Sequence, residues 1–263
     1  MKLNYRTESA DCGIANQPWL YSVYTAKSIS KMISQQTNYI DTLIIDGSGG
    51  ANMVVPLDGI RAIHNAFRKD MATLDIAAKT AAQGSGVLDA VEKRYVFLNE
   101  ILVWHATGEE KSVFPAVEKV APLVPEPYER DHRGLDSLFD LLDKAVNKGD
   151  LLECTRTTRA FDFHLNIHLN KEEAHLYRIF NERIPMPEQA SIMGEMAQQV
   201  PQDRFPDVVT WLFPLLGPND RENMVRIWQQ SLPNPVFTNI VKLVQATIGN
   251  DWAELTRRIP ELK

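Results

Sequence analysis

Cysteine is nearly absent from this chain: two residues, Cys12 and Cys154, among 263. They stand far apart and outside any metal-like pair, which argues against a thiolate zinc knuckle. Both are expected to be free thiols in a reducing cytosol. Also missing is any apolar run near the roughly 20 residues that span a bilayer. The first residues, MKLNYRTESADCGIANQP, hold no apolar signal core, so a cytoplasmic location is expected rather than secretion. Nor is there an excess of basic residues. Lys and Arg total 28 against 34 Asp and Glu, a net charge of −6. That balance gives no electrostatic reason to expect nucleic acid or an anionic membrane as a partner. Histidine is missing altogether after position 175.

What remains is ordinary for a globular protein, with 44% hydrophobic and 24% charged residues. Residues 1–55 read as a polar lead followed by a helix within Trp19–Ile45, closed by Asp46-Gly47-Ser48-Gly49-Gly50. Residues 56–187 carry four long amphipathic stretches: Leu57–Ala82, Leu88–Val120, Tyr128–Asn147 and Leu151–Arg183. Gly84-Ser85-Gly86, Pro122–Pro127, Lys148-Gly149 and Pro185 separate and end them. Short connections between long helices predict antiparallel neighbours, so the fold class expected is all-α, an up-down four-helix bundle. Residues 188–263 are cut by prolines into short helical pieces with a stripe of Trp, Phe, Leu and Ile. They read as a helical extension that packs on the bundle or on a protein partner.

Within the bundle the chain repeats itself. Residues 105–114 read HATGEEKSVF and residues 168–177 read HLNKEEAHLY, both His-x-x-x-Glu-Glu-x-x-apolar-aromatic. Upstream of each lies a single histidine, His64 or His132, followed by similarly spaced apolar residues. The bundle therefore reads as two hairpins of one kind. Residues four apart share a helix face, so His105 with Glu109, and His168 with Glu172, can each reach one interior point. His64 and His132 complete a set of four imidazoles and two carboxylates. Such a nitrogen and oxygen shell suits iron, manganese or zinc, and two bridging carboxylates hold two metals close together. Buried carboxylates without cations would be costly, which favours ligation over a set of merely buried side chains.

His64, His105-x-x-x-Glu109, His132 and His168-x-x-x-Glu172, with Glu110, Phe114 and Pro115 flanking the first motif, resemble the hemerythrin family in its divergent HHE cation-binding branch. The resemblance covers roughly residues 57–183. It implies two iron ions, oxo- or hydroxo-bridged, with the glutamates between them and the histidines as terminal ligands. It further implies binding of, or reaction with, dioxygen or peroxide, or a sensing role, and it fixes no single activity. The stretch from Gln189 onward, through Trp211, Asp220-Arg221-Glu222, Trp228 and Pro233, more weakly resembles a helical tail of larger hemerythrin-like proteins, plant iron-sensing ubiquitin ligases among them.

Two histidines stay open at this level. On an ideal helix His164, His168, Glu172 and His175 fall in one inward sector, yet His164 and His175 lie about 16 Å apart along the axis. His164 is a candidate fifth histidine ligand, and His175 reads as a group supporting the ligands from behind, or simply as core or surface. A fifth histidine would leave about one of roughly a dozen coordination positions open, against about two without it. Glu110 and Glu173 should point about 100° away from the ligand glutamates, toward water or Lys111 and Lys171. A competing ferritin-like reading uses Glu129-x-x-His132 and Glu172-x-x-His175, at the expense of His64, His105 and His168.

Overall fold

The structure is a computed structural model that describes residues 55–86 and 88–263. The helix expected within Trp19–Ile45 and Cys12 lie outside the described residues.

Among those residues every regular element is helical. The bundle is made of α1 (Pro56–Ala82), the rod α2 (Leu88–Gly108) with α3 (Phe114–Val120), α4 (Glu126–Asn147), and the rod α5 (Leu151–Lys171) with α6 (Tyr177–Arg183). Pro56 opens α1, where its missing N–H is no loss, and Asp58 accepts a hydrogen bond from the Val55 N–H at 3.0 Å. The turn between α4 and α5 shows how tightly a hairpin is specified. Gly149 sits at φ 67°, open to glycine at little cost, and the Asp150 N–H donates to the Ala145 carbonyl at 2.9 Å to close α4. Asp150 then caps α5 by accepting from the Glu153 N–H at 3.0 Å.

Each rod is interrupted by one π-helical turn, Glu109–Val113 in the first and Glu172–Leu176 in the second. Their closing bonds run from the Phe114 N–H to the Glu109 carbonyl and from the Tyr177 N–H to the Glu172 carbonyl, five residues apart. Such turns insert one residue into an α-helix. In an unbroken α-helix the residue five beyond a glutamate would point about 140° away from it. The inserted residue brings Phe114 and Tyr177 back inside, where both are buried.

Two apolar clusters fill the bundle. One gathers Phe67, Met71 and Leu74 with Tyr95, Leu98, Leu142, Phe161 and Leu165. The other gathers Leu57, Ile60, Phe114, Tyr128, Tyr177 and Phe180. Polar side chains form a layer between them.

The extension comprises α7 (Met186–Ala197), α8 (Phe205–Leu215), α9 (Pro218–Ser231), α10 (Asn234–Ile248) and α11 (Trp252–Arg258). Prolines stand in the first turn of α7 to α10, where a helix tolerates them. The extension shares a third cluster with the bundle: Ala62 and Ala66 of α1 lie among Val209, Leu212, Phe213, Met224 and Val225. Asp70, itself buried, accepts from the Trp211 indole at 2.8 Å and from Arg94 Nε at 2.7 Å, tying α8 to two bundle helices.

Helix α7 seats on the first rod at Gly108. A methyl group there would meet Met196 Cγ at 2.5 Å and the Met196 carbonyl at 3.1 Å. Gly108→Ala is therefore expected to push α7 off the rod and to cost about 1–3 kcal/mol, the usual penalty of overpacking. Urea unfolding monitored by helicity would show it as a lower midpoint.

Candidate metal centre

The repeated motifs converge in the polar layer between the two apolar clusters. His64, Glu109 and Glu172 each have 0% of their surface exposed, and His105, His132 and His168 are buried too. All four histidines turn Nε2 inward. In the first hairpin His64 Nε2 and His105 Nε2 stand 3.2 Å apart, and His105 Nε2 is 3.3 Å from Glu109 Oε1. In the second, His168 Nε2 is 3.1 Å from Glu172 Oε1. Each glutamate also crosses the bundle. Glu109 Oε2 reaches within 3.4 Å of His132 Nε2, and Glu172 Oε2 within 3.6 Å of His64 Nε2.

Two metal-sized positions result. Position one is framed by His64, His105, Glu109 and Glu172, and position two by His132, His168, Glu109 and Glu172. Two nitrogens that share one cation at about 2.1 Å and a right angle lie about 3 Å apart, close to the spacing of His64 and His105. The oxygens test the fit independently. Glu109 Oε2 and both oxygens of Glu172 are buried with no hydrogen-bond partner, a costly state that cations between them would relieve.

The charged groups of the layer also shift one another. Burial raises the carboxyl of Glu172 well above the usual range, and the charge of Glu109 adds to the rise. Burial acts on Glu109 in the same direction, but the neighbouring His105 and His132 outweigh it and hold that carboxyl well below the usual range. His132 is opposed by burial yet pushed up to about 10 by Glu109 and Glu110. Burial lowers His64 and His168 to about 4.

The outward nitrogens are held as well, and here the structure corrects the sequence. Glu110 and Glu173 were expected in water or beside Lys111 and Lys171. Instead His64 Nδ1 donates to Glu173 at 2.9 Å, and His132 Nδ1 donates to Glu110 at 2.9 Å. Each carboxylate comes from the opposite hairpin and is gripped in turn by an arginine, Arg68 at 2.8 Å or Arg133 at 2.8 Å. Fixing the proton on Nδ1 leaves Nε2 bare to ligate. The hydrogen bond from His132 is the main reason the Glu110 carboxyl falls to about 2. Lys111 pairs with Gln199 instead, and Lys171 with Asp131.

His164, the candidate fifth ligand, is exposed, with its ring against Phe163 and outside the cluster. The buried face of α5 runs through Thr157, Phe161, Leu165 and His168, and His164 lies just beyond its edge. His175 is exposed because the π turn spends its extra residue there. Glu129 is exposed as well, so the ferritin-like alternative has neither of its distinctive groups at the site.

Two further groups belong to the layer. The Tyr177 hydroxyl donates to Glu109 Oε1 at 2.6 Å, and burial together with the two glutamates keeps that phenol protonated. Phe114, its counterpart in the repeat, stacks on His132 at 5.4 Å. The aromatic five residues beyond each glutamate was the available signal, since it is out of phase for an α-helix. Beside His105, His132 and His168 lies a cavity of about 30 Å³, walled by Leu135, Phe139, Phe161 and Leu165. It has room for a water-sized or diatomic molecule, not for an organic substrate.

Fold and site together define an all-helical bundle with a paired histidine and carboxylate centre. The chain is similar to three proteins of Arabidopsis thaliana: zinc finger protein BRUTUS, 24% identical over 71% of the chain, and two BRUTUS-like zinc finger proteins, 23% and 26% identical over 68% and 65%. The aligned segment is 15% of the length of each. With only two widely separated cysteines, the chain has no Cys-x-x-Cys pair of its own to match a zinc finger. No family model matches the chain, and no solved structure matches it.

Proposed function

We propose that the chain is a hemerythrin-like, non-heme di-iron protein of the cytoplasm that binds or reacts with dioxygen or peroxide. One observation carries the reading: two fully buried carboxylates aim unpartnered oxygens between two pairs of inward Nε2 atoms. His64 and His105 would hold one iron, His132 and His168 the other, with Glu109 and Glu172 spanning both. Bound iron would supply redox chemistry toward oxygen species. The protein's own part is to orient the imidazoles through Glu110 and Glu173, to hold a proton on the Tyr177 oxygen, and to admit only small molecules. Apolar side chains, Leu135, Phe139, Phe161 and Leu165, make up much of the cavity wall beside the histidines.

A second reading, iron or oxygen sensing through residues 188–263, has a specific observation in its favour. The extension touches residues directly beside the ligands. Asp220 accepts from Asn65, next to His64, at 3.1 Å, and Met196 abuts Gly108, next to Glu109. The Trp211 ring lies 5.5 Å from Phe67, which lies 5.3 Å from His105. A protein partner would then read the extension.

Metal analysis and the optical spectrum of protein made in iron-rich medium test the centre. Two irons per chain are expected, with near-ultraviolet bands that shift when peroxide is added. Chains carrying less than one iron, with no such bands, would falsify it. Oxygen release or oxidation of a reductant on adding peroxide marks the reactive reading. An extension whose proteolysis changes with iron marks the sensing one.

A further inference from the structure

The internal repeat makes the two metal positions near copies, so what differs between them is informative. Position two has a carboxylate behind each of its histidines. Glu110 accepts from His132 Nδ1 at 2.9 Å, and Asp131 stands 3.5 Å from His168 Nδ1 with Lys171 paired to it. Position one has one such carboxylate, Glu173 behind His64. Among the described residues no carboxylate reaches Nδ1 of His105, whose ring faces Phe67 instead. A carboxylate on the far nitrogen raises the basicity of a ligating imidazole, and its loss typically costs about 10–100-fold in metal affinity.

The second difference is Tyr177. Its hydroxyl donates to Glu109 Oε1, the oxygen that faces His105 and position one. Glu109 Oε2, which faces His132 and position two, has no such donor. Phe114, in the equivalent place of the repeat, has no hydroxyl to give Glu172. A hydrogen bond to a carboxylate oxygen withdraws electron density from it and stabilises the metal-free anion. Both effects weaken position one.

We infer that the two positions load in order: the His132 and His168 position fills first, and the His64 and His105 position fills second and exchanges its ion more readily. The inference rests on the paired centre proposed above. A centre with one tight and one labile ion would change occupancy with the free metal level, and the labile ion is the one beside Asn65 and Phe67, against which the extension sits.

Titration of the metal-free chain, residues 1–263, with cobalt(II), whose visible bands report its coordination, provides the test. Two binding steps separated by about tenfold or more are expected from one missing carboxylate partner and one added donor. The tighter step should survive in His64→Ala and be lost in His168→Ala. Tyr177→Phe, which removes only the hydroxyl, should draw the weaker step toward the tighter one. Asp131→Asn should draw the tighter step toward the weaker, and helicity would confirm that each variant folds. Two equal steps in the parent chain, or a tight step lost in His64→Ala and kept in His168→Ala, overturns the order. So does a gap that Tyr177→Phe and Asp131→Asn leave unchanged. Fewer than two ions at saturation overturns the paired centre itself, and the order falls with it.

Discussion

Glu109→Ala is expected to cost the protein both metal ions, whereas His64→Ala should cost it one. The difference follows from where the oxygens point. Glu109 presents Oε1 to His105 and Oε2 to His132, so a single side chain serves both positions. Glu172 does the same in mirror order, toward His168 and His64. Removing either glutamate deletes one negative charge from each pair of imidazoles, in a layer enclosed by two apolar clusters. Truncating one partner of a buried charge pair costs about 3–5 kcal/mol, which corresponds to about 10²–10³-fold or more in affinity at each position. Glu110→Ala should behave differently, since it removes only the partner of His132 Nδ1 and lowers affinity about 10–100-fold. Metal content after dialysis against graded free metal separates the three outcomes. Should Glu109→Ala retain two ions per chain, the bridging role would be refuted.

How far the sequence could lead depends on the range of the interaction. The four rods and their turns were legible because local rules specify them. Apolar spacing in Leu57–Ala82, the glycine at 149 and the prolines at 122–127 act within one or two turns of chain. The six side chains that gather in the polar layer were legible for the same reason, since His-x-x-x-Glu is a single-helix pattern that occurs twice. Everything that depends on one helix against another was not. Glu110 and Glu173 looked like surface residues because a helix wheel knows nothing of the hairpin opposite, where His132 and His64 wait with arginines behind them. His164 stayed open as a fifth ligand because an ideal wheel has no centre until the neighbouring helices fix which face is buried. The π turns were visible only as an aromatic in the wrong phase, and they decide that Tyr177 touches Glu109 while His175 faces water.

Stripping the metal should expose the cost of building such a site, and it yields the second large effect. Two carboxylates with no exposed surface and three unpartnered oxygens remain when the cations leave. A ligand that binds only the folded chain stabilises it by about 2.7–4.1 kcal/mol at about 100- to 1,000-fold over its dissociation constant, and for a chain of this size each kcal/mol moves the melting temperature by about 2–4 °C. Chelator-treated protein is thus expected to melt about 5–16 °C below the metal-loaded form. The pH dependence of the stripped protein has a definite sign. The Glu172 carboxyl is raised in the fold, so its proton stabilises the native state at low pH, and that contribution fades as pH climbs above the ordinary carboxyl range. Glu109, held below that range, contributes in the opposite sense, and its share is lost only as pH falls through its folded value. Glu172→Gln mimics the protonated acid at every pH. The metal-free variant should therefore escape the decline above the carboxyl range and melt higher than the metal-free parent near neutrality. Added metal should then stabilise the parent and leave the variant almost unmoved. Calorimetry of both chains, with and without chelator from about pH 5 to 8, checks the reversal. A Glu172→Gln chain that gains as much from metal as the parent would show that this carboxylate holds no cation.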